Sequence, residues 1–120
     1  MNKALSVAAA ISFLIVLISS CSKDGGGGGS TPVLDCNTVT NKAFATDVSP
    51  IIQSSCAIPN CHGTGSTNGP GQLTNYTEIF SARTNIRSAV SSGRMPQTGS
   101  LSTSQKNSIL CWIDSGAPNN

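Results

Sequence analysis

The chain has 120 residues, with seven Lys and Arg against five Asp and Glu and a formal net charge of +2. That length allows one domain and excludes a large multidomain enzyme, and so slight a charge excess gives no electrostatic footprint for nucleic acid. Aromatic residues make up 4% of the sequence. With Phe13 in the leader described next, Phe44, Tyr76, Phe80 and Trp112 are all that remain to anchor a core. A domain this short of bulky side chains often needs a staple, and five cysteines with one histidine are the residues that would supply it.

Residues 1–20 read as a signal peptide: Lys3, then an apolar run from Ala4 to Ile18, then Ser19 and Ser20 ahead of Cys21. That fifteen-residue run falls short of the roughly twenty residues that span a bilayer, so the secretory reading is preferred to a transmembrane one. The segment Ile18-Ser19-Ser20-Cys21 resembles a bacterial lipobox, which makes Cys21 the lipidated new N-terminus; plain secretion with Cys21 incidental is the alternative. Several acyl chains, each gaining about 0.8 kcal/mol per buried methylene, would anchor the protein without spanning the membrane. Removing Lys3 with the leader leaves six basic against five acidic side chains. Residues 21–34, with five consecutive glycines from Gly25 to Gly29, read as a flexible tether. The tether resembles those of Bacteroidetes-type surface lipoproteins, and the lack of Asp directly after Cys21 resembles outer-membrane rather than inner-membrane sorting.

From residue 35 onward the pattern is helical, with no strand-like alternation of any length. Asp47 can cap a helix through Val48, Ile51 and Ile52, with Pro50 in its first turn, that delivers the chain to Cys56. Residues 63–72 are turn formers and read as a loop. Ile79, Phe80, Ile86 and Val90 recur at helical spacing over Tyr76 to Val90, with a break expected near Thr84. Ser102 followed by Gln105 has the form of a capping box, Ile109, Trp112 and Ile113 make one apolar face, and Gly116 sits where a C-cap glycine belongs. The fold class is therefore all-α with long loops.

The chemistry concentrates in Cys56-Ala57-Ile58-Pro59-Asn60-Cys61-His62-Gly63. Two thiols with an imidazole directly after the second are what covalent haem attachment requires: the sulfurs add to the two vinyl groups and the imidazole is directed to iron. A zinc site would need a fourth ligand, from Cys36 or Cys111 in principle. A Cys56–Cys61 disulfide beside a surface histidine is the plainer alternative. A cysteine nucleophile lacks an orienting third group. Met95, in Gly93-Arg94-Met95-Pro96, is the one methionine besides Met1 and lies thirty-three residues past His62. Such a methionine is often core filler, but next to a rigid proline and downstream of the thiol pair it is a candidate sulfur ligand to iron.

Together these motifs make residues 45–118 resemble a small monohaem cytochrome c domain. The resemblance covers the Asp47 to Ser55 helix, Cys56, Cys61, His62, Gly69-Pro70, Met95-Pro96 and the closing Ile109 to Gly116 helix. The family's usual spacer between the cysteines is two residues, and here it is four, Ala57 to Asn60. The resemblance implies a cytochrome c-like domain over 35–120 with one haem c bonded to Cys56 and Cys61 and ligated by His62 and Met95. It implies that the Pro70 carbonyl accepts from His62 Nδ1, leaving Nε2 for iron, and that Trp112 supports the pocket in an apolar wall with Ile109, Ile113 and Phe80. With Cys21 assigned to lipid and two thiols to haem, Cys36 and Cys111 are expected to pair, because the helices nearest them meet in that family. Arg83, Arg87 and Arg94 are candidates to face haem propionates, or simply a solvated surface.

The implied function is extracytoplasmic electron transfer rather than catalysis, in the cell envelope. Redox proteins and the membrane are the partners, with neither nucleic acid nor a soluble organic substrate. Two rivals stand beside it: a haem peroxidase or ligand-binding site with an open sixth position, and a haem-free surface lipoprotein built on disulfides.

Overall fold

The computed structural model describes residues 33–120. The leader over 1–20, Cys21 and the tether as far as residue 32 lie outside the described residues. Three α-helices carry the described part, α1 (Ser49–Ser55), α2 (Tyr76–Ser91) and α3 (Thr103–Asp114), and no strand occurs among the described residues. None of these helices is long and apolar enough to cross a membrane.

A wide π-helical turn, Phe44–Val48, runs straight into α1. The Ala43 carbonyl accepts from both Asp47 and Val48, each at 3.1 Å, and the Ser49 N–H continues the wider spacing to the Phe44 carbonyl. Pro50, the next residue but one, has no N–H to lose, so the change of ladder register falls where it forfeits least. The cap expected at Asp47 is corrected accordingly. Asp47 lies inside the turn, and its Oδ2 reaches back to accept from the Ala43 N–H at 2.9 Å. The free Phe44 and Ala45 N–H groups are taken by Asn120, through its side-chain oxygen at 2.8 Å and its carbonyl at 2.7 Å.

Helix α2 starts at Asn75, whose side chain accepts from the Glu78 N–H at 3.1 Å. It buries Ile79, Ala82, Ile86, Ala89 and Val90 along one face and runs unbroken through Thr84, against the expected break. The reason is one of magnitude. An exposed Thr costs a helix a few tenths of a kcal/mol, about 0.7 at most, whereas each buried isoleucine gains about 1.5–3 kcal/mol. The Glu78 carboxylate leaves its own helix and accepts from the Thr74 N–H at 2.7 Å, the Thr74 hydroxyl at 2.9 Å and the Gln72 amide.

Helix α3 forms as its punctuation indicates. Ser102 Oγ accepts from the Gln105 N–H at 3.2 Å while Gln105 Oε1 accepts from the Ser102 N–H at 2.9 Å, a complete capping box. At the other end Gly116 turns left-handed at φ +95°. Its N–H bonds the Ile113 carbonyl, and the Ala117 N–H bonds that of Trp112, closing a Schellman motif.

The π turn packs on α3, and α2 packs on α3. Trp112, fully buried, lies 5.3 Å from Phe44 between ring centroids, and Phe44 meets Tyr76 edge-on at 5.0 Å. Such aromatic pairs add about 0.5–1.5 kcal/mol each beyond the area they bury. Both polar tips are satisfied by the segment after α3: the Trp112 indole donates to the Pro118 carbonyl and the Tyr76 hydroxyl to that of Ala117, each at 2.9 Å. A bidentate pair, Arg87 to Asp114 at 2.6 and 2.9 Å, ties α2 to α3 on the exposed surface. It draws the Asp114 carboxyl below its ordinary range. Cys36 and Cys111 are joined by a disulfide across 75 residues of sequence.

Two outcomes follow. Closing a 75-residue loop removes chain entropy from the unfolded state, so Cys36→Ser is expected to lower the free energy of unfolding by up to about 4 kcal/mol, read by urea denaturation. Burial acts to raise the Glu78 carboxyl, but the Thr74 N–H and then the Gln72, Thr74 and Asn75 side chains outweigh it and lower it from 4.5 to about 2. A depressed carboxyl stabilises the fold fully above its unfolded value and loses that contribution as pH falls through the folded one. The stability gap between wild type and Glu78→Gln, measured by denaturation across a pH series, is therefore expected to be widest above 4.5 and to close towards 2.

Candidate functional site

Helix α1 ends at Ser55, and the twenty residues from Cys56 to Asn75 have no regular structure. Their first part is a tight loop built on the four-residue spacer. The His62 N–H donates to the Cys56 carbonyl at 3.0 Å, closing the motif end to end, and inside it Cys61 and Gly63 both donate to the Ile58 carbonyl at 3.1 Å. Asn60 absorbs the extra length by turning left-handed at φ +66°, a conformation that asparagine tolerates better than most residues. The Asn68 side chain then donates to the carbonyls of Asn60 and Cys61, and Ser66 Oγ donates to that of Cys61.

Gly63 is fixed by close approach. A Cβ placed there would stand 3.0 Å from the Ile58 carbonyl oxygen and 3.3 Å from that of Ala57, both backbone atoms that cannot swing aside.

His62 is 8% exposed, a buried ring in a chain with only one histidine. Its Nδ1 is 2.9 Å from the Gly71 carbonyl oxygen, so Nδ1 carries the proton and donates. The acceptor expected at Pro70 is thus one residue off. Gly71, at φ +89°, turns its own carbonyl to the ring, while Pro70 lies on the cleft wall. Among the described residues no hydrogen-bond partner occupies Nε2, which is left with its lone pair.

Cys56, Cys61, His62 and Met95 all line one cleft of about 350 Å³, a size at the lower end of small-molecule sites. Met95 reaches it because the chain reverses after α2: Gly93 turns left-handed at φ +73° and the Met95 N–H returns to the Ala89 carbonyl at 3.1 Å. The apolar wall is Ile52, Leu73, Ile86, Ala89, Val90 and Ile109. Of the four wall residues expected, only Ile109 is there. Trp112 faces Phe44 in the core, and Phe80 and Ile113 pack against that core, because the rings of this small domain are used to join α3 to the π turn. Ile52 was legible from spacing: Val48, Ile52 and Cys56 fall four apart on one helical face.

Cys56 and Cys61 are free thiols here, each half-buried. Burial pushes the Cys56 thiol up, and the neighbouring Cys61 adds to that. A raised thiol is the reverse of what a nucleophilic cysteine needs. Among the described residues no three of His, Cys, Asp and Glu converge as a bare ion would require. Cys36 and Cys111, the possible fourth zinc ligands, are committed to each other. The two thiols, the imidazole nitrogen and the thioether are instead spread around an apolar cleft, an arrangement suited to a larger group touched at several points.

Among the described residues the rim carries no charged side chain: its polar members are Ser55, Asn60, Asn68, Asn85, Gln97 and Thr98. Arg83 lies over the Phe80 ring at 4.0 Å and donates to the Phe80 carbonyl, and Arg87 is paired with Asp114. Arg94 is exposed and lies outside the cleft lining. None of the three lines the cleft itself. Comparison with protein-family models, with curated proteins and with solved structures found no match to this chain.

Gly63→Ala is expected to force the Ile58 backbone away and destabilise the protein by about 1–3 kcal/mol, measured by thermal or urea unfolding. An equally stable Gly63→Ala protein would refute the close-approach account.

Proposed function

We propose that residues 35–120 form a cytochrome c-like domain carrying one covalent haem c, and that the protein transfers electrons outside the cytoplasm. The observation that carries this reading is the meeting of Cys56, Cys61, His62 and Met95 on one mostly apolar cleft, with Nδ1 of His62 engaged and Nε2 left to donate. Cys56 and Cys61 are the thioether anchors, and His62 Nε2 and Met95 Sδ are the iron ligands. Bound there, the haem supplies one-electron cycling between ferric and ferrous iron.

The chain's own contribution is position and potential. The Gly71 carbonyl fixes the His62 tautomer and strengthens the imidazole as a donor. A thioether ligand favours the reduced state, and the wall of Ile52, Leu73, Ile86 and Ile109 keeps water away, which acts in the same direction. The free state of Cys56 and Cys61 favours this reading over a haem-free protein with two disulfides. Were both His62 and Met95 to ligate the iron, the site would have no vacant position for a peroxidase substrate. Lipid on Cys21 would hold the domain in the cell envelope, at the outer membrane rather than the inner, with redox proteins as partners.

Denaturing electrophoresis with haem staining, after expression with haem-maturation machinery, is expected to show colour retained on the polypeptide. Colourless protein of unmodified mass would overturn the proposal. Cys61→Ser is expected to weaken or abolish attachment and His62→Ala to prevent stable holoprotein. Met95→Ala should keep the haem but lose the sulfur-to-iron charge-transfer band of the oxidised protein; an unchanged ferric spectrum would remove Met95 as a ligand.

A further inference from the structure

We propose that Glu78 is a positioning residue for His62: by gripping Thr74 and Gln72 it fixes the Gly71 carbonyl that accepts from Nδ1. The inference rests on the proposed function only in giving His62 a metal to serve. The geometry itself concerns the polypeptide alone.

One short stretch, Gly71 to Thr74, holds His62 twice. The Gly71 carbonyl accepts from the ring at 2.9 Å, and the Leu73 N–H donates to the His62 carbonyl at 2.8 Å. The stretch therefore sets both the backbone position and the ring orientation of His62. Its own anchors are few. The Gly71 N–H donates to the Asn68 carbonyl at 2.9 Å, Gln53 donates to the Leu73 carbonyl at 3.1 Å, Gln72 Oε1 accepts from the Gly65 N–H at 2.9 Å, and three further bonds end on the Glu78 carboxylate. Bonds to an ionised acceptor are roughly twice as strong as neutral ones, so Glu78 is the strongest of these anchors.

An ordinary cap would be used differently. In a capping box the acid three residues into the helix returns to the N-cap N–H, which here belongs to Asn75. Glu78 instead reaches beyond that residue to the Thr74 N–H and hydroxyl and to the Gln72 amide. Its bonds to Thr74 and Gln72 serve the loop ahead of α2, in addition to the help its carboxylate takes from the Asn75 side chain at the helix end. Gln72 extends the grip further, because its amide joins Glu78 to the turn that contains Gly65.

The chain's single histidine makes the test direct. Imidazole nitrogen shifts of the 15N-labelled full chain expressed without haem-maturation machinery, so that no iron holds Nε2, and recorded above the ordinary histidine titration range, report which ring nitrogen carries the proton. Wild type is expected to hold the Nδ1–H form, and Glu78→Ala to shift towards the Nε2–H form that free histidine favours. Asp114→Asn breaks the Arg87 pair away from this loop and is expected to lower stability without moving the His62 signals. An unmoved tautomer in folded Glu78→Ala would overturn the proposal, as would an equal shift in Asp114→Asn. Should Glu78→Ala not fold, Gln72→Leu, which leaves the Asn75 cap intact, decides: a shift in the same direction supports the proposal and unchanged His62 signals overturn it. Haem staining of the wild type reads the proposed function separately, so the two claims fail independently.

Discussion

The hydrogen bond from His62 Nδ1 to the Gly71 carbonyl is the contact on which the cleft depends. The stretch from Cys56 to Asn75 has no helix or sheet ladder to satisfy its backbone, and buried backbone groups left without partners are costly. The chain meets this with short reversals, the amides of Gln53, Asn68 and Gln72, and the one imidazole. Satisfying the loop and orienting the ring are thus the same act. The conformation that pairs these groups is also the one that leaves Nε2 open.

The rest of the molecule gives that loop something firm to rest on. Trp112, Phe44 and Tyr76 join α3 to the π turn and to the start of α2, and both polar tips of this cluster end on the segment after α3. With so few aromatics, none is spared for the cleft, whose wall is aliphatic. The disulfide does by covalent means what a larger core would otherwise have to do.

What was legible in the sequence were features whose cause is local. The Ser102 and Gln105 box, the left-handed Gly116 and the turn-rich stretch from Gly63 to Gln72 depend only on neighbouring residues, and each occurs where its pattern indicates. The Cys56 to His62 segment, Met95 and the Cys36–Cys111 pair were singled out by their residue types, and the structure brings Cys56, Cys61, His62 and Met95 to one cleft and joins the pair. Illegible were the features decided by distant partners. Asp47 carries the mark of a helix cap, yet Asn120 accepts the Phe44 and Ala45 N–H groups and Ala43 gives its own N–H to Asp47, which makes Asp47 the back of a π turn. Thr84 looks like a break until the burial of Ile79 and Ile86 is counted against it. The shift from Pro70 to Gly71 is a single residue of loop trajectory, set by a positive φ that only the folded loop selects. Trp112 lies one helical turn from Ile109 but packs on Phe44, with its indole donating to the Pro118 carbonyl.

The Cys36–Cys111 bond also decides where mechanical load would travel. Tension entering through the residues ahead of Cys36 crosses at once to Cys111 and leaves through the end of α3. The chain between those cysteines, with the whole cleft in it, lies off the force line. A tug on the leading segment therefore bears first on a sulfur bridge and one helix end, ahead of the loop that holds His62 and Met95.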